Sequence, residues 1–458
     1  MAQVPVPSPF TLRPRTARLV LAGAAALVLV SGALNLRPLA STLLAGEQAA
    51  PIITNSAVAG TPLDRTIAAL QEALRDGDPL TASRNAAQLG HAYLQKARET
   101  GDSSYYPKAE SLFNQALGRD ASNVNALVGM GTLALARHEF REAHDWGERA
   151  VDTAPDFAAA YGILADAKVE LGEYDSAAAT LQQMVDLRPD LGSFSRISYL
   201  RELMGDRDGA LSAMQRAVSA GSGYPENVAW AQVQLGNLYF DAGDLTAAAG
   251  AYEAASVAAP GYAPAMAGEA RVLAARGQLA AAADLYARVV TILPLPEYLT
   301  AYGDVLTARG DQSGADAQFA TVAAIQQLQA ANGVNTDLDL ALFAADHGDT
   351  NAIGNAVAQA RAAVAERPSV TAYDTLAWTL YRSGDLVAAE AASEQALRLG
   401  TRSAVMHFHA GMIASAQGDT ASAVLHLRTA LSLNPHFSLR YAPVAQAELT
   451  RLQNEVGS

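Results

Sequence analysis

Histidines are the side chains most able to carry chemistry in this sequence, and their spacing decides what they can do. His138-Glu139 opens like a zinc-protease helix, in which a second histidine four residues on completes a pair of ligands. Here the next histidine is His144, six residues after His138, and on a helix it points elsewhere. His407, His409, His426 and His436 lie close in sequence, yet His407 and His409 face different sides of any helix that carries them. Gly221-Ser222-Gly223 sets a serine between glycines without the strand–turn–helix context of an activated nucleophile. The chain has no Cys, which removes disulfides, thiolate metal sites, cysteine nucleophiles and a lipid-modified N-terminal cysteine. It also has no glycine-rich phosphate loop. The remaining place for a reaction is the stretch holding His91, Glu99, Tyr105 and Tyr106, from which no nucleophile, base and orienting group can be assembled. These patterns yield no catalytic residue, no metal ligand and no cofactor. An enzyme, or a regulatory subunit of an envelope enzyme, with a site in that stretch is the alternative to a binding protein.

The elements that would position any site come from a repeat with a period near 34 residues, running from about residue 83 to 437. Gly205-Asp206, Gly243-Asp244, Gly310-Asp311, Gly348-Asp349, Gly384-Asp385 and Gly418-Asp419 recur, with Gly172-Glu173 and Gly277-Gln278 in the same slot. Glycine in such a slot ends one helix in a left-handed conformation, and aspartate caps the free amides of the next. Ala109, Ala143, Ala177, Ala210, Ala248, Ala282, Ala315, Ala389 and Ala423 hold one position of the second helix. Ala116, Ala150, Ala217, Ala255, Ala396 and Ala430 follow two turns later on the same face. Pro155, Pro189, Pro260, Pro294, Pro368 and Pro435 stop that helix. Gly131, Gly236, Gly303, Ala377 and Gly411 stand twelve residues before the alanine slot, so both helices present small residues where they meet.

Val233-Gln234-Leu235-Gly236-Asn237-Leu238-Tyr239, followed by Ala248, Tyr252, Ala255 and Pro260, resembles the tetratricopeptide repeat consensus almost slot for slot. The resemblance extends over ten units, at 83–123, 124–157, 158–191, 191–224, 229–262, 263–296, 296–329, 330–369, 370–403 and 404–437. It implies an all-α, right-handed superhelical solenoid. Three irregularities stand out. Gly90 and Ala109 are nineteen apart, which calls for a longer helix or loop carrying Tyr105 and Tyr106. Three extra residues separate Gly348 from Pro368, and the unit at 191–224 lacks its proline. Residues 64–76 read as an isolated helix before the first unit. Residues 438–455 read as a final polar-faced helix with Gln446, Arg451, Gln453 and Asn454, of the kind that caps a solenoid.

Composition narrows the partners. With 458 residues, half of them apolar, the chain can bury a large core. A net charge of −14 repels phosphate backbones, so nucleic acid is not expected as a partner. Arg13, Arg15 and Arg18 precede an apolar run from Leu19 to Leu36, the arrangement of an export signal or membrane anchor. The length of that run favours an anchor, which leaves the solenoid outside the cytoplasm; cleavage after Ser31-Gly32-Ala33 would instead release it. The expected organisation is a basic segment (1–18), a signal or transmembrane segment (19–36), a linker (37–62), the solenoid (63–437) and a capping helix (438–458).

In the family resembled, the first helix of each unit lines a concave face that binds extended peptides. The corresponding side chains here are Tyr199, Trp230, Asn237, Phe240, Arg271, Asp304, Trp378, Tyr381, Arg382 and Met412. Aromatic rings with Arg and Asn suit peptide contact, giving large apolar area and fixed hydrogen-bonding groups. Some family members clamp a partner's C-terminal carboxylate with Lys and Asn on successive first helices. The equivalent slots here hold Val233 with Asn237 and Ala267 with Arg271, so that mode is not expected. The expected function is a non-enzymatic scaffold at the cell envelope that binds a protein or peptide partner.

Overall fold

A computed structural model describes residues 61–221, 225–348 and 350–456, which hold twenty-two α-helices. The basic N-terminal segment, the apolar run 19–36 and most of the linker lie outside the described residues, as does Ser222. Among the described residues no helix is long and apolar enough to cross a membrane. Helix α1 (Pro62–Asp76) opens on a capping box between Thr61 and Asp64. Ten antiparallel pairs follow, five up to residue 258: α2 (Ala82–Thr100) with α3 (Tyr105–Arg119), α4 (Val124–Ala136) with α5 (Phe140–Thr153), α6 (Ala158–Glu170) with α7 (Tyr174–Leu187), α8 (Leu191–Leu203) with α9 (Arg207–Ala220), and α10 (Pro225–Asp241) with α11 (Leu245–Ala258). The other five are α12 (Ala263–Ala275) with α13 (Leu279–Ile292), α14 (Pro296–Ala308) with α15 (Gln312–Ala331), α16 (Asp337–His347) with α17 (Thr350–Glu366), α18 (Val370–Ser383) with α19 (Leu386–Leu397), and α20 (Ala404–Gln417) with α21 (Thr420–Leu433). Helix α22 (Ala442–Val456) ends the stack, with Gln446, Arg451, Gln453 and Asn454 exposed.

The turns form as their residues dictate. Gly205 takes φ 73°, and the Asp206 amide reaches back to the Arg201 carbonyl at 2.8 Å. Asp206 then accepts from the Gly209 amide at 3.0 Å, and Asp244, Asp311, Asp385 and Asp419 cap their helices in the same way. Gly348 departs from the expectation. Its φ of −78° and ψ of 159° are extended, so this turn does not use the left-handed conformation. In the second unit the slot is filled by His138, which adopts φ 61° without being glycine.

Packing uses the small residues as spacers. All nine alanines of the first slot are fully buried, and Ala356 supplies the same feature in α17. Tyr252 on α11 is wedged between Gly236 on α10 and Gly268 on α12. A Cβ at either glycine would lie 2.5 or 2.4 Å from the tyrosine ring. Phe113 on α3 does the same between Gly90 and Gly129. Irregular spacings resolve into helix length. The excess in the first unit extends α2 to nineteen residues and puts Tyr105 and Tyr106 at the start of α3. The extra residues after Gly348 lengthen α17 to seventeen. Helix α15 runs to twenty residues, past the expected unit boundary at 329, and α16 is correspondingly short at eleven.

The solenoid winds until it meets itself. The turn between α4 and α5 touches the segment before α16, six pairs further along: the Asn335 amide donates to Arg137 O at 2.9 Å, and His138 Nδ1 sits 2.7 Å from Asn335 O. The next turns repeat this. The Val370 amide donates to the Tyr174 hydroxyl at 2.8 Å, Thr401 Oγ1 donates to Leu203 O at 2.5 Å, and Asn434 Nδ2 donates to Phe240 O at 2.9 Å. These partners are 194 to 198 residues apart. Glycine permits the approach: a Cβ on Gly205 would meet Gly400 O at 2.4 Å, and one on Gly172 would meet Pro368 O at 2.7 Å.

Candidate functional site

Because the first helix of each pair faces inward, the superhelix surrounds a cavity of about 2270 Å³. Its wall is built mainly from α2, α4, α6, α8, α10, α12 and α14, with Tyr106, Met214, Tyr286 and Leu431 reaching it from second helices. Leu63, Thr66 and Leu70 of α1 add to it, as do Asp346 and His347 at the end of α16, and the segment Pro435–Pro443 leading into α22. Small-molecule pockets measure about 300–1,000 Å³, so this volume suits a length of polypeptide.

Six of the ten side chains singled out in the sequence line this cavity: Tyr199, Trp230, Asn237, Phe240, Arg271 and Asp304. Most are held by neighbours. Asn237 Oδ1 accepts from the buried Tyr252 hydroxyl at 2.8 Å. Arg271 donates to Asp241 at 2.9 Å and lies over the Phe240 ring at 3.8 Å. Asp304 Oδ1 is 3.0 Å from His347 Nε2. Tyr199 and Phe240 are themselves buried, offering only an edge, whereas Trp230 is partly exposed.

The other four, Trp378, Tyr381, Arg382 and Met412, do not line the cavity, and the chain's own C-terminal segment explains why. Tyr441 stacks on Phe408 at 5.0 Å, meets Trp378 edge-on at 5.5 Å, and donates its hydroxyl to Asp346 at 2.8 Å. Phe437, Ala442 and Ala445 join the same core cluster as Trp378, with Tyr381 and Met412 packed against it. Trp378 is 2% exposed, stacks on His409 at 4.3 Å and gives its indole N–H to Asp346 at 2.8 Å. Arg382 bonds the Ala345 carbonyl. Around Trp378, Tyr381 and Met412 the face that α18 and α20 would have offered is therefore covered, while Arg382 stays exposed and α16 still reaches the cavity through Asp346 and His347.

The cavity is acidic. Glu99, Asp156, Glu202, Glu226, Asp241, Glu297, Asp304 and Asp346 line it, against Arg98, Arg188 and Arg271. Burial pushes the Glu202 carboxyl up to about 8, reinforced by Asp241, and raises Glu226 as well. Tyr262 and Tyr286 add aromatic surface, their hydroxyls pushed up to about 12 by burial. None of Glu202, Asp241, Tyr262, Tyr286 and Asp346 was singled out in the sequence. Glu202 and Asp241 lie one turn or less beyond Tyr199 and Asn237 on the same helices, a helical spacing that marks them as neighbours on the inner face.

The stretch considered for catalysis reaches the cavity through His91, Glu99 and Tyr106, and neighbours hold its side chains in place. His91 Nε2 is 2.8 Å from Asn125 O, and its ring meets Phe113 edge-on. Tyr105 packs on Tyr93 beneath Lys108, Tyr106 is buried, and Glu99 accepts from Gln95 at 2.8 Å. His138 and His144 part as their spacing requires, His138 being tied to Asn335. His144, Asp145 and Glu148 do bring ligand atoms within 4.8 Å of one another on α5, where both acids are exposed to water. His407 and His426 place their Nδ1 atoms 3.0 Å apart, and burial holds the His407 ring down at about 4. Their side chains belong to α20 and α21, and neither lines the cavity.

Family models of the tetratricopeptide repeat match residues 94–156, 134–202, 233–295 and 404–437. No curated protein matches the chain in sequence. Among solved structures it is similar to a tetratricopeptide protein of Thermus thermophilus, at 23% identity and TM-score 0.38, over 42% of this chain and all of that one. A human IFIT1 dimer solved with m7Gppp-AAAA is similar at 16% identity and TM-score 0.46, over 74% of this chain and 76% of that one. A tetratricopeptide repeat protein from Parabacteroides merdae is similar at 18% identity and TM-score 0.34, over 57% of this chain and 98% of that one. With twenty-two helices among its described residues, the chain is an all-α repeat solenoid, and across those matched residues its units are tetratricopeptide repeats.

Proposed function

We propose that this protein is an interaction scaffold that holds an extended segment of a partner protein inside its superhelix, at the cell envelope. The cavity carries the reading: about 2270 Å³ of space walled mainly by seven successive first helices, with Trp230 and Tyr262 partly exposed on its surface. A groove of that length meets a chain rather than a small molecule. Partly exposed aromatic rings give large contact area at small rotamer cost. The envelope location is supported by Arg13, Arg15 and Arg18 ahead of the apolar run 19–36.

Affinity capture with the full-length protein tests the scaffold role. Proteins retained by the native chain are expected to be lost, by roughly tenfold, from Trp230→Ala. They should be kept by Leu425→Ala, an exposed position on α21 that does not line the cavity. Equal capture by both variants would show that the cavity is not the binding surface. N-terminal sequencing of the protein isolated from membranes is expected to find residues 19–36 retained. A mature chain beginning after Ala33 would replace the anchor with a cleaved signal.

A further inference from the structure

Resting on that reading, we infer that the segment the cavity takes is cationic: arginine or lysine spaced among apolar residues, with one positive head group seated against Glu202. Charge balance is the first argument. Acids outnumber arginines on the wall, and several of those acids are already engaged. Asp241 holds Arg271, Asp304 holds His347, and Asp346 holds both Trp378 and Tyr441. Glu202 differs. It lines the cavity from α8 and, among the described residues, makes no hydrogen bond or ion pair through its side chain.

A partly buried carboxyl with no counterion among the described residues is disfavoured in its charged form, and burial raises its affinity for a proton. Asp241 nearby adds to the penalty. A guanidinium or ammonium brought in by a ligand would remove it by supplying a partner that the described residues do not. The surroundings suit such a group. Tyr199 sits one turn earlier on the same helix, and Trp230 lines the neighbouring α10, offering apolar cover for the stem of a long side chain. The net charge of −14 would steer a positive segment toward the molecule.

Fluorescence anisotropy with the full-length protein provides the test, using labelled short peptides in which Leu alternates with Arg, with Gln or with Glu. The Arg–Leu peptide is expected to bind at least roughly tenfold tighter than the Gln–Leu peptide, with the advantage shrinking as salt is raised. Glu202→Gln should remove most of that advantage while leaving Gln–Leu binding unchanged, which also shows the cavity intact. Asp145→Asn, an equal charge change on the outside of α5, should alter neither. If Gln–Leu and Arg–Leu bind alike and both depend on Trp230, the cationic preference is wrong while the scaffold reading stands. If no peptide binds, both are wrong. If Arg–Leu binds only after Arg13, Arg15 and Arg18 are replaced by Gln, the occupant is the chain's own basic segment, and the inference of a partner is overturned.

Discussion

At the scale of single residues, the buried charges are the part of this molecule that its repeat pattern hides. Asp166 and Arg196 form a bidentate pair at 2.9 Å between α6 and α8, with Arg196 also bonded to Gly192 O. Glu170, at the end of α6, is 6% exposed and 3.8 Å from Arg367, which arrives from the far side of the superhelical circuit. Burial pushes the Glu170 carboxyl up to about 7 even though Arg367 opposes the shift. The folded chain therefore binds a proton at Glu170 more tightly than the unfolded chain does. The resulting stability is fully present below the unfolded carboxyl range near 4.5 and is lost as pH rises toward 7. Between those limits the loss should be of order 1–3 kcal/mol. Thermal melts of the native chain from pH 5 to pH 8 should record it, and Glu170→Gln should flatten the slope. An unchanged slope would mean that Glu170 is ionised throughout.

At the scale of elements, much was readable because the determinants are local. A glycine that ends a helix, an aspartate that caps the next and an alanine at the crossing each act within a few residues, so the paired-helix repeat could be read from the sequence. What spacing left open was whether extra residues would extend a helix or form a loop; both insertions became helix, since α2 and α17 continue their hydrogen bonding through them. The contact of Tyr252 with Gly236 and Gly268 makes a sharp case. Gly268→Ala would drive a methyl into a ring that is fully buried and cannot give way, a cost of about 1–3 kcal/mol. Gly250→Ala, on the exposed face of α11 with nothing within 4 Å, should instead gain about 0.5–1 kcal/mol. Urea titrations of the two variants should move in opposite directions. Parallel shifts would refute the wedge.

At the scale of the whole molecule, the sequence was least legible, and for a physical reason. The contacts that close the superhelix join residues almost two hundred positions apart, and no periodicity reports which turn will meet which. The same limit misplaced expectations about the site. Six inner residues were found by their slot, but Trp378, Tyr381 and Met412 occupy equivalent slots and pack against residues 437–445, whose path across that face leaves no trace in the repeat, while Arg382 turns to the Ala345 carbonyl and stays exposed.

The closure also alters how the molecule holds together. An open stack of repeats is a row of neighbours, and its ends can fray while the middle stands. Here the second pair leans on the eighth, the third on the ninth, the fourth on the tenth, so a loosened end removes a support from the interior. Such a chain gives up the independence of its parts. It must complete a full circuit before its distant seams reward the entropy spent, which slows assembly, and once complete it resists being peeled from either end.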